Sequence, residues 1–201
     1  MKHRGPLITL VVTLGALVLI LSLNDSLIPK QAAPAPGPAA TAQTGETQPL
    51  KSPEAVYVGK DESGEMAVGI AVKDGRAVGY LCDGQSVEAW LGGTVTGGRV
   101  TLEEPNGPGT VFADIKGTRI TGIAVARDNE FDFALAKAES PAGLYRQQDG
   151  DTKIGWIVYP DGDQVGIANT GGQARPAPAL DPTSGDAERV NGQSRLGGGT
   201  R

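Results

Sequence analysis

The chain has 201 residues, a formal net charge of −5, 14 prolines and 30 glycines. An acidic balance of this kind excludes a nucleic-acid partner held by phosphate contacts and a polybasic grip on anionic lipid. His3 is the only histidine and Cys82 the only cysteine, so an internal disulfide, Ser-His-Asp or Cys-His catalysis and the usual zinc sites are excluded for everything beyond the N-terminal tip.

The first expected element is a transmembrane helix. Leu7 to Leu23 is apolar apart from Thr9, Thr13, Gly15 and Ser22, with Lys2, His3 and Arg4 before it and Asn24 and Asp25 after it. Extended to Ile28, a helix rising about 1.5 Å per residue spans roughly 33 Å, which covers a hydrocarbon core of about 30 Å. Lys2 and Arg4 flank its N-terminal side against the single Lys30 after Ile28, a bias that holds the N-terminus in the cytoplasm and sends the remainder across the membrane. The alternative is a cleaved signal peptide and a secreted product. Asn24 to Lys30 offers no small-x-small site, however, and the first small pair, Ala32-Ala33, is followed by Pro34. The expected plan is therefore a cytoplasmic tip over 1–6 and a signal anchor over 7–28.

Residues 29–54 are rich in Pro, Ala, Thr and Gln and bury too little apolar surface to offset their ordering entropy. They read as a semi-extended, disordered linker, a spacer between bilayer and domain. Thr41, Thr44 and Thr47 are candidate sugar acceptors on export, whereas the sequon Asn24-Asp25-Ser26 abuts the membrane and reads as accidental.

After Ala55 the pattern turns to period two. Met66, Val68, Ile70 and Val72 alternate with Ala67, Gly69, Ala71 and Lys73, the signature of a strand with one buried face. Asp74-Gly75 supplies a two-residue turn into a second strand, Arg76 to Cys82, on which Val78, Tyr80 and Cys82 share the expected core face. Ser86 to Trp90 reads as a single helical turn. Val95 to Thr101 and Ile115 to Thr121 then repeat one another, each as strand, tight turn, strand. Asn106-Gly107, Asp128-Asn129, Asp149-Gly150, Asp161-Gly162 and Gly171-Gly172 are further turn signals. Ser140 to Gly143 is a bend, and Trp156–Tyr159 with Gln164–Ala168 forms the final hairpin. The expectation is an all-β domain over 55–170, an antiparallel meander of about eight or nine strands closing into a small barrel or sandwich to hide its edges. Its core is expected from Val68, Ile70, Val72, Val78, Tyr80, Cys82, Trp90, Val100, Leu102, Phe112, Ile120, Phe131, Phe133, Leu135, Trp156 and Val158. Residues 171–201, again Gly- and Pro-rich, are expected to be a mostly disordered tail, with a short pairing of Ala179-Leu180 and Arg189-Val190 as an alternative.

Few residues invite a chemical reading. Asp128, Glu130 and Asp132 are the densest carboxylate cluster and a formal candidate for glycosidase-type acid–base work, but alternation along one strand after a turn equally keeps all three wet. Asp161 and Asp163 flank Gly162 without the spacing of a calcium loop, and a hairpin turn accounts for both. Cys82 is either an exposed thiol able to link two molecules or a small buried apolar group, and its place on the Val78–Tyr80 face favours burial. Trp90 and Trp156 fit a ligand pocket or the centre of the core. No nucleotide-binding or hydrolase motif occurs. No catalytic, cofactor or metal residue is therefore assigned, and the ligand-binding residues are not specified by the pattern.

Ala71-Val72-Lys73-Asp74-Gly75-Arg76-Ala77, Tyr80-Leu81-Cys82-Asp83-Gly84, Val87-Glu88-Ala89-Trp90-Leu91 and Gly93-Thr94-Val95, followed later by Ala142-Gly143-Leu144-Tyr145-Arg146 and Gly155-Trp156-Ile157-Val158, resemble a family of uncharacterised actinobacterial exported or membrane-anchored proteins. The likeness runs over roughly residues 56 to 168, and it implies an envelope location and a small β domain without bringing site residues or an activity. The functional expectation is a non-catalytic binding or interaction module of the bacterial cell envelope, bound to the membrane through its N-terminal helix. Its ligand is an envelope protein, a polysaccharide or a lipid. A carboxylate-dependent envelope enzyme and a structural spacer without ligand are the competing readings.

Overall fold

A computed structural model describes residues 54–196. The tip, helix and linker expected over 1–53 lie outside the described residues, and among the described ones no helix is long and apolar enough to cross a membrane. The fold is all-β. Eight antiparallel strands, β1 (Ala55–Lys60), β2 (Ala67–Lys73), β3 (Arg76–Cys82), β4 (Glu88–Thr96), β5 (Arg99–Glu103), β6 (Thr110–Lys116), β7 (Arg119–Ala126) and β8 (Asn129–Ala138), follow one another around a closed barrel. β1 seals it by pairing with β8, Val56 opposite Ala138 and Val58 opposite Ala136. Five further strands, β9 (Gly143–Asp149), β10 (Thr152–Val158), β11 (Gln164–Thr170), β12 (Gln173–Pro176) and β13 (Glu188–Arg189), form a second sheet in the order β12-β11-β10-β9-β13.

Alternation explains the barrel. Val68, Ile70 and Val72 of β2, Leu81 of β3, Leu91 of β4, Val100 and Leu102 of β5, Ile120 of β7 and Phe133 and Leu135 of β8 fill its interior, as an eight-stranded barrel requires. The tight turns follow the glycines and aspartates: Asp74-Gly75 and Gly97-Gly98 both take positive φ, as two-residue hairpins with the right twist demand. One turn is displaced from its expected place, since Arg127 and Asp128, not Asp128 and Asn129, carry the positive φ values.

β1, β2 and β3 are buried on both faces. Their outward residues Val56, Val58, Ala67, Ala71, Val78, Tyr80 and Cys82 form a second core with Leu144 of β9, Ile157 of β10, Ile167 of β11 and Val190, each fully buried aliphatic contributing about 1.5–3 kcal/mol. Gly69 and Gly155 permit this close approach. A Cβ on Gly69 would overlap Leu144, and one on Gly155 would fall 2.7 Å from Tyr80 Cζ and 2.8 Å from Trp90 Cζ2. The far side of the sheet carries a third, smaller cluster of Tyr145, Trp156, Val158 and Leu180.

Several expectations require correction. Tyr80, Cys82 and Val78 are buried, but between barrel and sheet and not inside the barrel, while Trp156 and Val158 lie on the sheet's outer side. Phe112 is 55% exposed, because Val111 and Ala113 take the inward positions of β6. Trp90 and Phe131 are half-buried. The helical turn expected at Ser86–Trp90 is instead a bend followed by β4. The Asp83 carboxylate accepts the amides of Gln85, Ser86 and Val87 at 2.8, 2.8 and 2.9 Å, and this side-chain nest turns the chain without a helix.

Residues 171–196 are not a disordered tail. β12 pairs with β11, and β13 pairs with β9, so Arg189 lies opposite Tyr145 and not opposite residue 180. Between them Trp156 Nε1 donates to Pro178 O at 2.8 Å, and the Gln164 side chain both donates to Leu180 O and accepts its amide. Composition pointed to disorder because the segment has few apolar residues. Leu180 and Val190 nevertheless find buried sites, and the backbone covers two sheet edges.

Candidate ligand-binding face

The second sheet covers β1 to β3 and the end of β8 at Ala138, and the outward side chains of β5, β6 and β7 are left uncovered among the described residues. On β6 and β7 the inward residues Val111, Ala113, Ile120 and Ala124 are buried, while the outward Phe112, Asp114, Thr121 and Ile123 are exposed. Register sets the pattern of this face. One row runs Thr94, Thr101, Phe112, Ile123, Asp132 from β4 to β8, and the next runs Thr96, Arg99, Asp114, Thr121, Ala134. Phe112 and Ile123 are thus direct cross-strand partners, 55% and 41% exposed, and they are the exposed large hydrophobics among the described residues. Paired across the strands, the two side chains make a small apolar patch at the centre of a largely polar sheet face, the kind of surface a ligand can use.

Beside the pair lies a shallow hollow of about 330 Å³ lined by Thr94, Thr96, Gly97, Arg99, Thr101 and Asp114. Arg99 Nε donates to Asp114 Oδ1 at 3.4 Å, and both side chains are more than half exposed. The internal repeat builds the surroundings. The β4–β5 and β6–β7 hairpins are neighbours, joined by Ile115 N donating to Gly98 O at 2.8 Å, so repeat-related Arg99 and Arg119 sit one hairpin apart at the same end. The opposite end carries Glu103 and Glu130.

Of the residues singled out by the sequence, Glu130 and Asp132 lie on the margin of this face and the others fall elsewhere. Asp128 is in the β7–β8 turn, and Glu130 and Asp132 point outward from β8, exposed, opposite Val125 and Ile123. Asp161 Oδ1 accepts the Asp163 amide at 3.0 Å inside the β10–β11 turn. Among the described residues no three His, Cys, Asp or Glu side chains gather as a metal-holding group. Cys82 is fully buried, and burial pushes its thiol up to about 12.

A polar cluster lies in the seam between barrel and sheet. Tyr80 donates to Glu88 Oε2 at 3.0 Å, and Asn169 Nδ2 donates to Oε1 at 2.9 Å. Tyr80 and Trp90 stack with centroids 4.2 Å apart. Burial raises the Glu88 carboxyl above the ordinary value, against the pull of Asn169 and Tyr80, and burial also lifts the hydroxyls of Tyr80 and Tyr159. Perturbed groups often mark active sites, but here the carboxylate's partners come from both layers and bind them together. The cluster is a structural tie.

Sequence reasoning missed Thr94, Thr96, Arg99, Thr101, Phe112, Asp114 and Ile123. The repeat held the available signal, since it places Thr and Arg at matching outward positions of adjacent hairpins. The exposure of Phe112 had none, because Val111-Phe112-Ala113 is apolar throughout. Comparison with protein-family models, curated proteins and solved structures finds no match to this chain.

Proposed function

We propose that this chain is a single-pass, N-in membrane protein of the bacterial cell envelope whose extracytoplasmic β domain is a non-catalytic binding module. Support for the address comes from the apolar run Leu7 to Leu23 with Lys2 and Arg4 close before it against Lys30 alone after it, and from the motifs that resemble actinobacterial exported proteins. The observation that carries the binding reading is the Phe112–Ile123 pair, exposed side by side on the uncovered half of the barrel. The exposure of Asp128, Glu130 and Asp132 on the outer surface supports a non-catalytic reading over a carboxylate enzyme, whose two acid groups need to flank a bound substrate.

A photo-cross-linking residue placed at position 112 in living cells tests this reading, with position 150, a glycine in the β9–β10 turn, as control. A discrete, reproducible adduct from position 112 and none from position 150 is the expected result. Absence of any adduct from 112 would instead favour a spacer without ligand.

A further inference from the structure

The binding reading leaves the ligand open, and resting on that reading we infer that the face binds a neutral polysaccharide, seated in the hollow over Thr94, Thr96, Arg99, Thr101 and Asp114 with one sugar ring against Phe112. Three observations converge on this chemistry. The first is hydroxyl density. Thr94 and Thr101 are direct cross-strand partners, and Thr96 follows on the same face of β4, so their side chains stand about 4.5–5.5 Å apart across the strands and about 7 Å apart along one. A lattice of single hydroxyls, each both donor and acceptor, suits a ligand that is itself a lattice of hydroxyls.

The second is the ion pair. Asp114 offers acceptor sites to adjacent sugar hydroxyls, while Arg99 meets Asp114 through Nε alone and keeps its remaining guanidinium donors for the ligand. The two charges cancel. Around the pair, Lys116 and Arg119 at one end stand against Asp132, Glu103 and Glu130 at the other margin, so the face has no strong charge of either sign and suits a neutral polymer better than an anionic one. The third is the aromatic ring. Phe112 lies directly beside Thr101 in the pairing of β5 and β6, at the rim of the hollow. Its exposed face matches the apolar C–H face of a pyranose, and sugar hydroxyls on the ring's edges reach the threonines and Asp114. A lipid chain would find no enclosed apolar channel here. A protein partner could use Phe112 and Ile123 but would leave the hydroxyl lattice beside them to water.

The full-length protein in detergent micelles is run by affinity electrophoresis in gels containing a soluble mannan, a neutral β-glucan or a galactan, with the anionic polymer alginate as comparison. Retardation by at least one neutral polymer and none by alginate is expected. Phe112→Ala should weaken the apparent affinity about tenfold, the factor that roughly 1.4 kcal/mol of lost contact produces, Arg99→Ala and Asp114→Ala should each weaken it severalfold, and Phe112→Trp should restore it. All three sites are exposed, so the four variants are expected to unfold at the same urea concentration as the parent. Retardation unchanged by Phe112→Ala, or seen only with alginate, overturns the inference. No retardation together with a protein adduct from position 112 in cells also overturns it while leaving the binding-module reading intact. No retardation and no adduct removes both.

Discussion

Gly69→Ala is the sharpest test of how barrel and sheet are joined. Gly69 faces outward from β2 at the centre of the seam, where an added Cβ would overlap Leu144 Cδ2 and lie 3.0 Å from Leu144 Cγ and 3.4 Å from Ile157 Cγ1. Leu144 is fully buried, so it cannot yield by swinging out into solvent. Overpacking of this kind costs about 1–3 kcal/mol, offset by about 0.5–1 kcal/mol because alanine is better than glycine within a strand, so a net loss of about 1–2 kcal/mol is expected. Leu144→Ala alone removes a fully buried side chain and should cost about 2–5 kcal/mol. In the double variant the new methyl enters space that Leu144 has vacated. Its cost should fall short of the sum of the singles by about 1 kcal/mol or more, a coupling that only touching residues show. Urea unfolding followed by fluorescence measures all four proteins, since Trp90 and Trp156 lie on opposite sides of the β9–β11 layer. Additive costs, or two separate transitions for barrel and sheet, would refute the packing argument.

Three further outcomes follow from named groups. Asp61 is buried, and its carboxylate accepts the amides of Met66 at 2.7 Å and Ser63 at 2.9 Å together with the Ser63 hydroxyl. Burial alone would raise its carboxyl, but the Ser63, Met66 and Glu65 hydrogen bonds outweigh that and hold it below the ordinary value. Its contribution is therefore present above the unfolded carboxyl value and lost as pH falls through the folded one, so Asp61→Ala should cost about 1–3 kcal/mol at neutral pH and flatten the acid limb of a stability–pH curve. Glu88 has the opposite sign: its carboxyl is raised, chiefly by burial, so its contribution is full below the ordinary glutamate value and declines as pH rises through the folded one. Relative to the parent, Glu88→Gln should gain stability as pH rises over that range, whereas Glu88→Ala should lose about 1–3 kcal/mol by leaving the buried Tyr80 hydroxyl without its acceptor. A thiol reagent should leave Cys82 unmodified in the native protein and react fully in urea, because a buried thiol pushed up to about 12 supplies almost no thiolate. Rapid native modification would contradict its place in the seam.

Legibility from sequence followed alternation and turn signals, whichever faces a strand buries. β2, β5 and β7 alternate or end in glycine turns, and their hairpins could be drawn from Asp74-Gly75 and from the repeat at Val95 and Ile115. β1 could not. Ala55 to Val58 is a continuous apolar run, because one side lines the barrel and the other lies beneath the sheet, and a run without alternation carries no register. The same ambiguity misplaced Phe112, since Val111-Phe112-Ala113 permits either register and only pairing with β5 and β7 decides it. Residues 171–196 were misread for a different reason. Their order comes from the Gln164 and Trp156 side chains and from the open edges of β9 and β11, and composition is blind to such long-range partners. Of the candidate face, the threonines and arginines were written in the repeat. Their union with an exposed aromatic exists only once the sheet has curved.

Amide hydrogen–deuterium exchange of the full-length protein, with and without solubilised cell-envelope material, reads directly where the ligand sits. Slowed exchange confined to β4 through β7, centred on residues 94–101 and 110–125, is the predicted result. Protection spread over residues 143–190 with none on β6 and β7, or no protection anywhere, would contradict it.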